Sequence, residues 1–136
     1  MKLVIVIILT AFLIACAKDT TLITPSGIWV EQSLRLDTFD FAAGDTLGTY
    51  RGYKTLRFKC KPFSDVSINP NYPINNSASY AYYYTSDSLF LLNFISSSLT
   101  FQKCKFQMAD NQQTFYVSRF YNRNLLPATL TFEKIK

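Results

Sequence analysis

The sequence predicts an all-β domain in which about eight antiparallel strands form a meander and close into a small barrel, preceded by a signal peptide and a short tether. Two observations support this prediction. From Gly27 onward, β-branched and aromatic residues are abundant and alternate with polar residues at a period of two. The same region has no window with the spacing of an amphipathic helix.

The first three predicted strands are residues 28–36, 37–42 and 48–61. The second ends at a turn, where Gly44 tolerates positive φ and Asp45 can hydrogen-bond its own backbone. The third contains the clearest alternation, because from Leu56 to Lys61 every even residue is apolar and every odd residue is basic. This strand should have one buried face and one wet face.

Residues 62–78 break the pattern with three prolines and four asparagines, and we expect a long irregular loop that covers one end of the barrel. Five strands follow, four of them joined by tight turns. They are residues 79–85, 88–95, 98–108, 113–121 and 128–135. Closure into a barrel is favoured over a sandwich, and an eight-stranded barrel is either filled by side chains or holds one small ligand.

The amino-terminal sixteen residues predict an export signal that ends before Cys16. Met1 and Lys2 precede the apolar stretch from Leu3 to Ile14, which has the length of a signal-peptide core. The stretch ends in Leu13-Ile14-Ala15-Cys16, which resembles the lipobox of bacterial lipoproteins. The resemblance implies cleavage before Cys16 and acylation of its thiol, which anchors the chain to membrane lipid. The alternatives are a plain signal peptide with an ordinary thiol at Cys16, or an uncleaved membrane helix.

Three segments follow from this signal: a signal peptide over 1–15, a lipidated tether over 16–26 and the barrel domain over 27–136. Ala17, where aspartate would favour inner-membrane retention in such lipoproteins, points to the outer membrane. We therefore expect a lipid-anchored location in the cell envelope, facing either the periplasm or the cell surface.

Composition excludes several classes of function. The 136 residues carry a formal net charge of +5 and leave room for one ordinary domain. The absence of histidine removes Ser-His-Asp and Cys-His catalytic arrangements and imidazole metal ligation. We expect no catalytic residues, no cofactor, no metal and no nucleic-acid partner.

The start of the first strand, Gly27-Ile28-Trp29, resembles the Gly-x-Trp signature of lipocalins. The closing segment from Thr129 to Lys136 is similar to the last strand of short lipocalin-like bacterial lipoproteins. The resemblance implies that Trp29 plugs one end of the barrel and that a basic side chain, here Lys134, stacks on its ring. Alternatively, Trp29 is an ordinary core residue.

Candidate ligand-binding residues are Trp29 and the tyrosines of Tyr80-Ala81-Tyr82-Tyr83-Tyr84. Alternation places Tyr80, Tyr82 and Tyr84 on one face of a strand, where their rings and hydroxyls could line a pocket or stack on sugars. Aromatic residues are also simply good strand formers, and that alternative stays open.

Basic and thiol side chains give two further expectations. Arg57, Lys59 and Lys61 should share an outward face, as should Lys103 and Lys105; these positions suit either anionic lipid and acidic polysaccharide or plain solvation. Cys60 and Cys104 either form a disulfide or remain buried thiols, and their strands lie three apart in a simple meander, which argues against the bond.

These observations predict a non-catalytic lipoprotein that binds a small apolar or amphipathic ligand inside the barrel. The alternative is a structural or accessory lipoprotein that acts through protein or glycan contacts at its surface; an enzyme is the third and least favoured class. A tyrosine-lined cavity of about 300 Å³ or more would favour the first. A barrel packed by Phe58, Phe90, Phe94 and Phe132 would favour the second.

Overall fold

The computed structural model describes residues 24–60, 76–97, 99–121 and 125–136, which form a closed barrel of eight strands. Each strand pairs antiparallel with the next, and the first pairs with the last. The strands are Ile28–Glu31 (β1), Asp37–Asp40 (β2), Lys54–Cys60 (β3), Asn76–Tyr84 (β4), Ser88–Asn93 (β5), Gln102–Met108 (β6), Thr114–Ser118 (β7) and Thr129–Lys134 (β8). The predicted all-β barrel is confirmed.

Alternation decides which side chains fill the barrel. In β3, Leu56 and Phe58 are buried while Lys59 is exposed, as the sequence predicts. Phe58 lies opposite Phe39 of β2, so the inward residues of neighbouring strands meet at the same level. The resulting core is rich in aromatic rings, with Trp29, Phe39, Phe58, Phe115 and Phe132 at its centre.

The first predicted strand, 28–36, is too long, because β1 ends at Glu31. The side chain of Glu31 is fully buried, and its carboxylate accepts the backbone N–H groups of Ser33 at 2.7 Å and Leu34 at 2.8 Å. Arg35 has a φ of 54°, a left-handed conformation that turns the chain toward β2. Side-chain hydrogen bonds to the backbone thus replace the sheet ladder here.

The third predicted strand, 48–61, begins later than expected, at Lys54. A single turn of helix, Gly44–Leu47 (α1), occupies part of the preceding connection. The predicted loop over 62–78 is wrong at its end, because Asn76–Ala78 belong to β4 and pair with Phe58–Cys60. The rest of that prediction lies outside the described residues. The remaining strands agree with the predicted bounds to within a few residues.

Strand order places Trp29 at the barrel end where β1 begins and β8 ends, called here the Trp29 end. Trp29 lies opposite Lys134, and the N–H of Ile28 donates to the carbonyl oxygen of Lys136 at 2.8 Å. Phe41 donates its N–H to the carbonyl oxygen of Gly27 at 2.9 Å. The segment before β1, the end of β2 and the segment after β8 are therefore held together at this end.

Candidate functional site

Three tyrosines predicted to line a ligand site lie on the inner face of β4. Tyr82 is buried in the core cluster that contains Trp29, whereas Tyr80 and Tyr84 are half-buried at the edge of that cluster. Tyr84 lies near the Trp29 end, where its hydroxyl is 2.5 Å from that of Thr24. The three tyrosines therefore share the inner face of β4, as predicted, but lie at different levels along the barrel axis.

Burial shifts the pKa of two tyrosine hydroxyls of the interior, and both are protonated at neutral pH. It raises the pKa of Tyr82 to about 12, with a smaller contribution from nearby Tyr84. It also raises the pKa of Tyr80; Cys60 adds to that shift, and a hydrogen bond with the Asn93 side chain opposes it. These hydroxyls are neutral hydrogen-bonding groups and suit binding more than nucleophilic chemistry.

Trp29 is packed into the core, with only 1% of its surface exposed. Its indole N–H donates to the carbonyl oxygen of Ser26 at 2.9 Å, and its ring centroid lies 4.9 Å from that of Phe115. The ammonium of Lys134 lies 5.7 Å from the indole centroid, which is the contact that the lipocalin resemblance implies. Such a cation–π contact contributes about 1 kcal/mol.

Cys60 and Cys104 both carry thiols, and no disulfide joins them. The predicted alternative was two buried thiols; in the structure Cys104 is buried and Cys60 is half-buried. The two thiols are not joined because β4 and β5 separate their strands around the barrel. Burial raises the pKa of the Cys104 thiol to about 11, so this sulfur is a poor nucleophile at neutral pH.

Aromatic rings fill the described part of the barrel interior. Around Phe39, five other phenylalanine rings have centroids between 4.9 and 5.8 Å away. Of the four phenylalanines expected to pack the interior, Phe58 and Phe132 do so. Phe90 and Phe94 were assigned to the wrong face, because Phe90 lies opposite the outward-facing Tyr83 and Phe94, four residues further along, is on the same face.

Two half-open pockets lie outside this packed interior. One, of about 270 Å³, lies at the Trp29 end between the segments 24–27 and 44–49. The other, of about 460 Å³, lies on the outer face of β6 and β7. Neither is lined by Tyr80, Tyr82 or Tyr84.

A stack of aromatic rings covers the outer face of β4 and β5. The rings of Tyr83 and Phe90 lie 4.3 Å apart and are nearly parallel, at 6°. On the side of Tyr83 away from Phe90, the ring centroid of Tyr53 lies 5.6 Å from that of Tyr83. The ring of Phe101 contacts both tyrosine rings edge-on, with centroid distances of 4.8 Å to Tyr53 and 5.0 Å to Tyr83. We call these four residues the aromatic ladder. Tyr53 is 39% exposed and Tyr83 37% exposed, so the ladder faces solvent.

A two-residue turn brings Tyr53 to the ladder. Tyr50 and Tyr53 exchange two backbone hydrogen bonds of 3.0 Å across Arg51 and Gly52. Both turn residues have positive φ, 53° and 82°, as a type I′ turn requires. Tyr50 stacks on Phe94 at 4.4 Å, which fixes the turn against the outer face.

The larger pocket continues the outer face beyond the ladder, and we call it the lysine groove. It forms where β6 changes partner, pairing with β5 through Gln102–Lys105 and with β7 through Phe106–Met108. At this point the N–H of Lys105 donates to the Ser118 hydroxyl at 2.9 Å. The polar residues that line the lysine groove are Asp87, Ser88, Lys103, Lys105, Gln107, Tyr116, Ser118 and Thr129.

Lys103 connects the ladder to the groove. Its ammonium lies 5.9 Å from the centroid of Phe90, and its side chain also lines the groove. Among the described residues, neither Lys103 nor Lys105 forms an ion pair. The one carboxylate of the groove is Asp87, whose Oδ1 accepts the hydroxyls of Ser88 and Thr85, both at 2.9 Å.

Those two hydroxyls lower the pKa of Asp87, and Lys103 contributes further, so this carboxylate is charged at neutral pH. Two ammonium groups against one carboxylate leave the groove with a net positive charge.

The predicted basic residues of β3 do not contribute to the groove, because β4 and β5 lie between β3 and β6. On β3, the ammonium of Lys59 pairs with the carboxylate of Asp40 at 3.9 Å. The predicted third member, Lys61, lies outside the described residues.

The sequence contains two signals of the ladder that the prediction did not use. The run Leu89-Phe90-Leu91-Leu92 is apolar on both faces of its strand, which indicates that the outer face is covered as well as the inner one. A glycine inside the predicted strand 48–61, Gly52, marks a turn. Together they indicate a hairpin folded over β5.

Cys16, the predicted lipid attachment, lies outside the described residues. The described ranges contain no helix of the length and apolarity that a membrane crossing needs. They also contain no cluster of three or more cysteine and acidic side chains that could hold a metal ion. Comparison of the chain with known proteins found no matching family, no matching curated protein and no matching solved structure.

Proposed function

We propose that this chain is a non-catalytic, lipid-anchored envelope lipoprotein that binds a glycan on the outside of a filled barrel. The observation that carries the proposal is the exposed aromatic ladder lying beside a hydroxyl-lined groove. An aromatic ring offers an apolar surface to the C–H groups of a sugar, and serine, threonine and tyrosine hydroxyls hydrogen-bond to its hydroxyls. The packed rings around Phe39 favour this surface role over a ligand inside the barrel.

The size of the aromatic surface favours an oligosaccharide over a folded protein. No ring of the ladder is more than 39% exposed. Since an aromatic side chain has about 150 to 250 Å² of surface to bury, the four rings together offer at most about 400 Å². A stable protein interface takes about 800 Å² from each partner. A few sugar units bury less surface than a folded protein does.

The groove supplies the directional contacts that aromatic stacking lacks. Its volume of about 460 Å³ falls within the usual range of ligand pockets, roughly 300 to 1,000 Å³. Ser118 and Thr129 lie opposite each other on neighbouring strands, so their side chains share the outer face. Tyr116, 39% exposed, adds a phenolic hydroxyl two residues away from Ser118. Stacking beside such fixed hydroxyls can select both a sugar ring and its orientation.

The double substitution of Tyr53 and Tyr83 by alanine should weaken glycan binding at least about fivefold, since each ring loses a stacking surface worth about 0.5 to 1.5 kcal/mol. Binding would be measured on an array of neutral and uronic-acid-containing oligosaccharides, followed by calorimetry on the best binder. Both side chains are exposed by more than a third and lie outside the core cluster, so the barrel should keep its fold.

The matched control is Ile135→Ala, which removes an exposed apolar side chain of 54% exposure away from the ladder. It should bind like the unchanged protein. Circular dichroism on all three proteins would verify that the sheet is retained. If the unchanged protein binds no oligosaccharide on the array, or if the double variant binds as well as the control, the glycan function is wrong.

The membrane anchor is tested separately through Cys16. Cys16→Ser removes the thiol that the lipobox resemblance assigns to acylation. We expect the variant to leave the membrane fraction, and mass spectrometry should show no added diacylglyceryl group, whereas the unchanged chain should begin at a modified Cys16. A mature chain with an unmodified Cys16, or a Cys16→Ser chain that stays in the membrane, would contradict the anchor.

A further inference from the structure

We infer that the glycan is acidic and that Lys103 and Lys105 bind its anionic substituent, while the aromatic ladder holds the adjoining sugar ring. This inference rests on the proposed glycan function and adds the chemical class of the ligand. It depends on one juxtaposition: a positively charged groove shares Lys103 with the ladder.

Strand pairing fixes the two lysines relative to the ladder. Lys103 lies opposite Phe90, and Lys105 lies opposite Ser88, so all four side chains share the outer face of β5 and β6. Residues two apart on a strand are separated by about 7 Å, so the two ammonium groups lie along one side of the groove. A ring beside Phe90 can therefore place a substituent at Lys103, and the next ring can reach Lys105.

The charges of the groove favour an anion. Within the described part of the chain, the ammonium groups of Lys103 and Lys105 lack an ion-pair partner, so a ligand carboxylate would not have to displace one. The nearby Asp87 is the opposing charge, but its Oδ1 already accepts hydroxyl hydrogen bonds from Thr85 and Ser88. The excess of one positive charge attracts acids and gives no advantage to a neutral sugar.

An acidic glycan fits this surface better than an anionic lipid bilayer. Lipid surfaces are typically bound by clusters of four to eight lysines and arginines, whereas the groove has two lysines and one carboxylate. The groove is also concave and lined by hydroxyls, which matches a chain of hydroxylated rings.

The test uses two glycan pairs in which a neutral group replaces the carboxylate: oligogalacturonate with its methyl ester, and hyaluronan oligosaccharides with their carboxyl-reduced form. The acid of at least one pair should bind about tenfold more tightly than its neutral form at low salt, as expected for one charge-assisted hydrogen bond. The difference should shrink as salt is raised. Calorimetry at two ionic strengths measures both effects.

Lys103→Gln combined with Lys105→Gln should bind the acid and its neutral form equally, because only the charge contact is lost. The control, Lys54→Gln with Lys136→Gln, makes the same change in net charge at two exposed positions outside the groove, and it should keep the preference for the acid. Asp87→Asn should strengthen binding of the acid, since it removes the opposing charge.

The outcomes separate this inference from the function on which it rests. Equal binding of acid and neutral forms by the unchanged protein overturns the inference and leaves glycan binding standing. If neither form of either pair binds, the inference is overturned, and the glycan function is overturned with it when the array also shows no binder. Binding to vesicles of phosphatidylglycerol with no preference for the acidic glycans also overturns the inference, as does an acid preference that survives the double lysine substitution.

Discussion

Phe39→Ala is expected to lower the free energy of unfolding by about 3 to 5 kcal/mol, near the upper limit for a single core truncation. Phe39 is fully buried, and five phenylalanine rings surround it. Those rings belong to different segments around the barrel, so they cannot all move in to refill the space. The loss therefore combines the transfer free energy of a benzyl group with the cost of a cavity. Urea unfolding followed by tryptophan fluorescence measures it.

Two comparisons separate cavity formation from other causes. Phe39→Leu keeps most of the volume and should cost less than half as much. Phe94→Ala removes the same group from the outer face, where its ring is half-buried against Tyr50, and should also cost less. If Phe39→Ala and Phe94→Ala cost the same, a cavity inside the barrel does not explain the loss at Phe39.

The barrel could be predicted because most strands obey simple alternation. In β3 the basic residues Arg57 and Lys59 could only face outward, so Leu56 and Phe58 had to face inward. Eight such strands joined by short turns have few ways to hide one apolar face, and closure is the simplest of them. Local chemistry was therefore sufficient for strand order.

The assignment of faces failed where alternation is absent. In β5 four consecutive residues, Leu89 to Leu92, are apolar, so the sequence does not show which of them face inward. The face is decided by pairing, because Phe90 lies opposite Tyr83 while Leu89 and Leu91 lie opposite Tyr84 and Tyr82. This information is non-local and was missing from the pattern.

The candidate site was predicted in part for the same reason. Alternation correctly put Tyr83 on the face opposite Tyr80, Tyr82 and Tyr84. The solvent-facing ladder, however, needs Tyr53, which is 30 positions earlier in the chain and reaches Tyr83 only through the turn at Arg51 and Gly52. Contacts between distant segments of a chain are not visible in a single sequence, so the inner tyrosines were the expected site and the outer ladder was missed.

Gly27→Ala is expected to destabilise the barrel by about 3 kcal/mol or more, because a positive φ and a steric clash each cost about 1 to 3 kcal/mol. The clash would open the contact between the segment before β1 and the segment that follows β8. The φ of Gly27 is +82°, and a Cβ atom there would lie 2.0 Å from the carbonyl oxygen of Lys136. That oxygen accepts the N–H of Ile28, so the two backbones cannot separate without losing this hydrogen bond. Separation of the two backbones would also disturb the cation–π contact between Lys134 and the ring of Trp29.

Gly52→Ala is the matched control, because Gly52 has the same φ of +82° but open space where its Cβ would lie. It should lose only the conformational term, about 1 to 2 kcal/mol. The difference between the two variants in the free energy of unfolding by urea therefore measures the cost of the clash between residue 27 and the carbonyl oxygen of Lys136. Equal losses would mean that backbone conformation alone explains the need for Gly27. Gly27→Ala should lose more stability than Gly52→Ala and should also change the fluorescence of Trp29. That result would show that the close approach of Gly27 to Lys136 stabilises the closed barrel.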